Sequence, residues 1–374
     1  MKVDPKLLSE VRKYGEFDVT GCFNCGSCTV KCNLSKDSPT FPRKSMRHVV
    51  MGLKDHLNSS LEPWLCYYCG DCSSTCPRQT EPGEAMMTLR RYLTSKYDRT
   101  GLASKFYRSV AWEIGVILLV AAFVLTLGMM YHGPIVTERV ELNTFAPVEK
   151  VHLFDMGMFV VLSFFIISNA FTMFWLTMYK DKSVKIPVSL YFTQLKELIV
   201  HAATQKRFKE CTTSDRWIKH WLLVMGYGTM FILVVVFLSW FQTDNIYPIY
   251  HPQRWLGYFA TIVLVVFTVE IIYGRIVKRE QIHRFSHLSD WLFPILLFLT
   301  AVSGILVHLF RYMSLPLPTY YTYAIHMAIA VPMLVVEVPF GKWSHLVYRP
   351  LAVYFQSIKD KAMQLQIGDS KHGQ

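Results

Sequence analysis

Hydrophobic residues follow two regimes along this chain. Up to about residue 108 they are interspersed with basic and polar residues, and beyond it they gather into long apolar runs. Six runs, near 109–131, 153–178, 218–241, 255–274, 291–311 and 321–340, are each long enough as helices to cross a hydrocarbon core of roughly 30 Å. The first lies too far into the chain to be a secretory signal. In the polar part, Met46, Val49, Val50, Leu53 and Leu57 recur at helical spacing, and a second helical stretch covers 82–97. No alternating strand pattern intervenes. The predicted fold is all-α: an N-terminal helical module over 1–108, an extra transmembrane helix over 109–131, a five-helix bundle over 152–350 and a tail over 351–374.

Charge orients these elements. The 374 residues, 52% of them hydrophobic, carry a formal charge of +12. Much of that excess lies in loops beside the apolar runs, so it does not point to nucleic acid. The stretch 179–219 holds nine Lys or Arg and 275–290 holds four, against two in 132–151 and one in 242–254. By the positive-inside rule the rich loops face the cytoplasm, and both termini with them. The expected location is the cytoplasmic (inner) membrane, crossed six times, with the soluble module on the cytoplasmic side. Residues 186–208 mix apolar side chains with Lys196, Lys206 and Arg207, a pattern for a helix on the membrane surface or docked on a partner.

Eight of the nine cysteines fall into two runs of matching spacing. These are Cys22-x2-Cys25-x2-Cys28-x3-Cys32 and Cys66-x2-Cys69-x2-Cys72-x3-Cys76, the second followed by Pro77. This is the bacterial two-cluster ferredoxin pattern, in which the fourth cysteine of each run ligates the other [4Fe-4S] cube. Cys22, Cys25, Cys28 and Cys76 are assigned to one cluster, and Cys66, Cys69, Cys72 and Cys32 to the other. Three cysteines each two residues apart crowd a tetrahedral zinc site, and disulfides need an oxidising compartment. The first run departs from the pattern in carrying Asn33 where proline is expected. Cys211 has no cysteine or histidine at ligand spacing and reads as inert.

Histidines inside membrane spans are uncommon and usually functional. Two neutral imidazoles on different helices at one depth can hold a b-type haem. His220 and His345 fall at the cytoplasmic face and form the pair for an inner haem. His326 and His308 fall near the outer face and form the pair for an outer haem. His152, at the edge of the second run, is the alternative outer ligand or a quinone-site residue. His326 and His345 are 19 residues apart, about 28 Å along one helix, with Pro332 and Pro339 between them as kink points. Asp155, Glu270 and Glu337 could take protons from a quinol. Each histidine taken singly also fits an interfacial side chain with its ring at the headgroups.

Two resemblances rest on these residues. The stretch 22–29, Cys-Phe-Asn-Cys-Gly-Ser-Cys-Thr, resembles the iron–sulfur C-type polypeptide of heterodisulfide reductases. So do Phe41-Pro42-Arg43-Lys44 and the segment from Trp64-Leu65-Cys66 to Cys76-Pro77-Arg78. Ile325-His326-Met327, Pro339-Phe340-Gly341-Lys342-Trp343-Ser344-His345 and Tyr348-Arg349-Pro350 resemble the cytochrome b subunits of respiratory nitrate reductase (gamma) and heterodisulfide reductase (E). That second likeness implies five spanning helices and two b haems, with His326 and His345 as ligands from the last helix and His220 as the inner partner. The remaining family ligand falls at Met230, which leaves the second outer ligand to His308 or His152. A fusion of the two parts resembles the C-type component family of quinone-interacting membrane-bound oxidoreductase complexes. It implies electron transfer from menaquinol, through two b haems and two [4Fe-4S] clusters, to cytoplasmic flavin and iron–sulfur subunits. Adenylylsulfate reductase, in sulfate respiration, is the implied acceptor. The alternative is a membrane anchor for a heterodisulfide-reductase-like or sulfite-reduction-linked complex. No GxGxxG loop points to a flavin or nucleotide site within the chain, so an electron relay is expected and not a self-sufficient catalyst.

Overall fold

The computed structural model describes residues 2–36, 40–211, 214–280 and 283–372. Among them every regular element is helical. The helices Val110–Tyr131, Val148–Tyr179, Asp215–Val235, Pro252–Ile276, Ser289–Tyr312 and Pro316–Glu337 are each long and apolar enough to cross a membrane. They fall on the six expected runs. The third stops at Val235, where the chain turns before a short helix, Leu238–Phe241. The first span leans on the sixth and leaves Leu118, Leu119, Phe123 and Met129 exposed. An apolar surface of that extent is stable in lipid or against another protein.

The N-terminal module is built around the helix Pro82–Tyr97. Proline in its first turn, Glu84 near its start and Lys96 in its last turn all suit a helix with that polarity. Its Met86, Leu89, Tyr92, Leu93 and Tyr97 are fully buried among Leu7, Val11, Leu57 and Trp64. The stretch expected as one helix over 41–57 is two, Arg43–Val50 and Lys54–Asn58. Gly52 separates them at φ +68°, pressed so close to the Asp4 carbonyl that a Cβ has no room.

The module's core continues into the bundle. Trp64 packs on Tyr348 with ring centroids 4.9 Å apart, and Phe106 meets Phe340 edge-on at 6.0 Å. At the centre of this seam lies a buried charge cluster. Arg91, from the module, binds Glu84 and also Asp290 in the first turn of the fifth span, both at 3.2 Å. Asp290 in turn pairs with Lys342 and lies 4.0 Å from Arg275.

The C-terminal third differs from the reading of the sequence. The sixth run does not continue as one helix to His345. After Pro332, which lacks a backbone donor, the helix widens into a π turn, Met333–Glu337. The chain then bends at Gly341, makes a 3-10 turn over Lys342–Ser344 and starts a new helix, His345–His372. The expected tail over 351–374 is therefore mostly helix, and Ala352, Val353, Phe355, Ile358 and Ala362 bury one side of it; residues 373–374 lie outside the described residues. It packs on the basic loop after the second span, with Lys359 bonded to Asp181 at 2.6 Å. Where one surface helix was expected over 186–208, that loop holds three short ones, Ser189–Thr193, Leu195–Thr204 and Lys206–Cys211.

Asp290→Ala would leave Lys342 without its counter-charge in the seam and Arg91 with Glu84 alone, a loss of about 3–5 kcal/mol. A clear drop in thermal midpoint in detergent is expected. Arg12→Ala, which breaks an exposed pair with Asp18, should cost about 1 kcal/mol or less.

Candidate iron–sulfur and haem-ligand sites

The two cysteine runs fold alike. In each, the residue before the second cysteine, Asn24 or Tyr68, and the glycine after it, Gly26 or Gly70, adopt left-handed backbone. A short helix follows, Ser27–Lys31 in the first run and Asp71–Ser74 in the second, and the two helices pack on each other. The glycines stand at φ +88° and +89°, a conformation that is free for glycine and strained for other residues.

Side-chain neighbours cross between the runs. The Cys28 thiol is raised by burial first, and then by the nearby thiols of Cys22 and Cys76. Cys32 is pushed up to about 12, again by burial first, with Cys66 and Cys69 adding to it. Cys72 is raised in the same way, with Cys66, Cys69 and Cys32 around it and Cys28 beyond. Cys76 thus sits with the first run and Cys32 with the second. Iron offsets the burial cost that keeps these thiols protonated, because it binds the thiolate. Among the described residues no three Cys, His, Asp or Glu side chains close on one point as a single ion requires; a cube holds its sulfurs wider apart. The two sets differ in exposure: Cys25 is open to solvent, whereas Cys66 and Cys72 are buried.

Cys211 is not isolated. It is buried in the same pocket as Cys32, Cys66, Cys69 and Cys72. Its thiol is raised by burial first and then by Cys69, Cys32 and Cys66. The helix Lys206–Cys211 is held there by Asn33, whose side-chain amide donates to the Glu210 carbonyl at 3.0 Å. The residue that departs from the ferredoxin pattern therefore ties the second cysteine set to the membrane half. Nothing local to position 211 signals this.

His220 and His345 line a common cavity of about 410 Å³ where the module meets the bundle, together with Arg90, Arg216 and Arg349. His345 Nδ1–H donates to the Lys342 carbonyl at 2.7 Å, and His220 Nδ1–H donates to Gln205 Oε1 at 2.5 Å. Burial first, then Arg349, holds His345 well below the usual imidazole range. Both rings are thus fixed from behind through Nδ1–H, with Nε2 free of hydrogen bonds among the described residues. That is the arrangement a metal-ligating imidazole takes, and the arginines suit a ligand with carboxylate arms. These residues fit a bis-histidine haem.

The outer histidines are arranged differently. His326 Nδ1 bonds Ser303 Oγ at 2.9 Å, and its ring lies against Gly304, where a Cβ would come within 3.3 Å. His308 turns to the fourth span: Nδ1 accepts from Arg254 at 3.2 Å, so Nε2–H donates to Tyr258 Oη at 2.7 Å. Both nitrogens of His308 are thus engaged by protein side chains. His152 is exposed, and Asp155, one turn further on, is buried near Tyr323. Glu270 pairs with Lys219 at 2.6 Å.

An aromatic bridge, not foreseen from the sequence, joins the histidine cavity to the second cysteine set. Phe208 meets His220 edge-on with centroids 5.1 Å apart and stacks on Tyr67, also at 5.1 Å. Tyr67 follows Cys66 in the chain, and Arg349 lies 4.7 Å over its ring while donating to the Cys66 carbonyl at 3.2 Å.

A family profile described as a 4Fe-4S dicluster domain matches residues 18–80. The N-terminal module is a 4Fe-4S dicluster domain. The relatives named below are C-type polypeptides of heterodisulfide reductases or a protein like them. The chain is 28% identical over 115 residues to such a C-like protein of Archaeoglobus profundus, covering 30% of this chain and 61% of that one. It is 35% identical over 103 residues to the second iron–sulfur C-type polypeptide of the CoB–CoM heterodisulfide reductase of Methanocaldococcus jannaschii, covering 25% and 55%. Against the corresponding iron–sulfur polypeptide of Methanopyrus kandleri it is 32% identical over 117 residues, covering 29% and 59%. The chain spans about half the length of the curated relatives it matches. No solved structure matches it.

Cys32→Ser and Cys66→Ser are expected to lose the same cluster, and Cys22→Ser and Cys76→Ser the other. Each variant should hold about four irons where the parent holds about eight, with one of two electron paramagnetic resonance signals gone. Loss of one signal by both Cys22→Ser and Cys32→Ser would contradict the crossing.

Proposed function

We propose that this chain is the membrane-embedded electron-transfer subunit of a quinone-linked oxidoreductase, working between menaquinol and cytoplasmic flavin and iron–sulfur subunits. The observation that carries this reading is the pair His220 and His345, two imidazoles open to one cavity directly behind the second cysteine set. A b haem held there and a [4Fe-4S] cube in each cysteine set supply single-electron chemistry when bound. His220 and His345 are its proposed axial ligands, and Arg90, Arg216 and Arg349 would meet its carboxylates.

Phe208 and Tyr67 fill the space between His220 and Cys66 with packed aromatic rings. In this reading the set Cys66, Cys69, Cys72 and Cys32 lies next to the membrane. The set Cys22, Cys25, Cys28 and Cys76 faces the partner subunits, consistent with exposed Phe23 and Val30 beside it. The basic loops support a cytoplasmic position for the whole module.

On the outer side His326 is the proposed ligand of a second haem. His308 would join it only by giving up Tyr258 or Arg254. A quinol loses two protons with its two electrons, and Asp155 and His152 are the proposed acceptors. Adenylylsulfate reductase is the proposed final acceptor. The likeness to the C-type polypeptides of heterodisulfide reductases supports a second reading, in which the same relay serves a heterodisulfide-reductase-like partner.

Reduced-minus-oxidised spectra of the purified protein should carry b-haem bands. His220→Ala and His345→Ala should each abolish the same component, and His308→Ala should leave it intact. Absence of b-haem absorbance from the parent protein would overturn the reading. Haem content of His326→Ala, against one or two haems in the parent, tests the outer site.

A further inference from the structure

Glu113, in the first turn of the first span, and Glu337, which closes the π turn of the sixth, are 1% and 0% exposed. The first span packs on that π turn, and the two carboxyl groups act on each other directly. Among the described residues no N–H or O–H group donates to either oxygen of Glu113 or to Oε1 of Glu337. Only Oε2 of Glu337 is served, by the Lys342 N–H at 3.1 Å. Gly341 makes that bond possible, since any side chain there would run into the Glu337 carboxyl group.

Two ionised carboxylates in contact, dry and without donors, are not a state that burial permits. A proton between them supplies the missing donor and removes the repulsion. The surrounding charge leads to the same result. The groups acting on the pair are Asp290, Lys342 and Tyr107. Asp290 is bound by Arg91, Lys342 and Arg275, and Glu84 by Arg91. The three cations Arg91, Lys342 and Arg275 thus face the four carboxyl groups of Glu84, Asp290, Glu113 and Glu337, and one proton makes the set neutral.

A short chain of bonds connects this pair to the proposed haem ligand. Glu337 accepts from the Lys342 N–H, and the Lys342 carbonyl accepts from His345 Nδ1–H. We propose that Glu113 and Glu337 form a redox-linked proton site. The pair holds one proton when the cofactor bound by His220 and His345 is oxidised. It takes a second from the cytoplasmic side when that cofactor gains one electron from the quinol, and releases it when the electron moves on. One electron and one proton enter together and leave separately, the electron to the second cysteine set and the proton back to water. The redox link rests on the haem reading above; the shared proton does not.

Two measurements test it. Infrared difference spectra of the whole protein should contain a protonated-carboxyl C=O band at neutral pH that shifts in deuterium oxide and disappears in Glu113→Gln. This readout needs no haem. Redox titration across pH should give an inner-haem midpoint potential that falls as pH rises, because reduction takes up a proton. Glu113→Gln, and Glu337→Gln if the first fails to fold, should flatten that dependence, whereas Glu138→Gln, at an exposed position after the first span, should leave it unchanged. A missing carboxyl band overturns the shared proton. A band with an unaltered pH slope in the glutamine variants overturns the redox link. A parent protein without haem overturns the electron-transfer reading and the link with it, and the band still decides the pair.

Discussion

A single buried carboxylate, Asp290, meets Arg91, Lys342 and Arg275 where the soluble and membrane halves join. Each of the three cations comes from a different part of the chain, and Asp290 is the one carboxylate that all three share. Through Arg91 the charge cluster fixes the helix Pro82–Tyr97, the spine of the module, against the fifth span. Through Lys342 it fixes the short turn that orients both Glu337 and His345. The geometry of the candidate haem site and of the cysteine sets is therefore tied to one electrostatic junction, and the aromatic contacts of Trp64, Tyr348, Phe106 and Phe340 pack in the same seam.

What the sequence made legible was what physics enforces locally. A hydrocarbon crossing demands a long apolar run, so all six spans could be read within a few residues. Cube ligation demands closely spaced thiols, so the two runs of cysteine stood out. Helix 82–97 could be read because its proline, its apolar spacing and its terminal charges agree. The features that stayed hidden depend on residues far apart in the chain. Cys211 reaches the second cysteine set only because Asn33 holds the Glu210 carbonyl. The Glu113–Glu337 contact joins the first span to the last. The break after Pro332 is written in the sequence as two prolines and a glycine, but its consequence, a fresh helix beginning at His345, follows from how Glu337 and Lys342 fold back on each other.

The candidate sites divide along an electrostatic line. Around Cys66 the chain gathers Arg90, Arg216 and Arg349, whose charges favour anionic sulfur and extra electrons. Elsewhere in the seam, around Glu337, it gathers carboxyl groups beyond what the local cations can balance. The same few turns of backbone thus provide a place that favours negative charge and one that favours protons, with the Lys342 peptide between them.

The short helix Lys206–Cys211 has a consequence of another kind. It roofs the second cysteine set with protein, while Cys25 of the first set stands in open solvent. Oxygen and peroxide attack accessible sulfur and iron first. Damage in air would accordingly begin at the outward set, and the inward one would outlast it for as long as Asn33 keeps its grip on that roof. Under the proposed relay, a molecule injured in this way would still accept electrons from the membrane and fail only at delivery, so its decay would look like the loss of a partner and not like the loss of a cofactor.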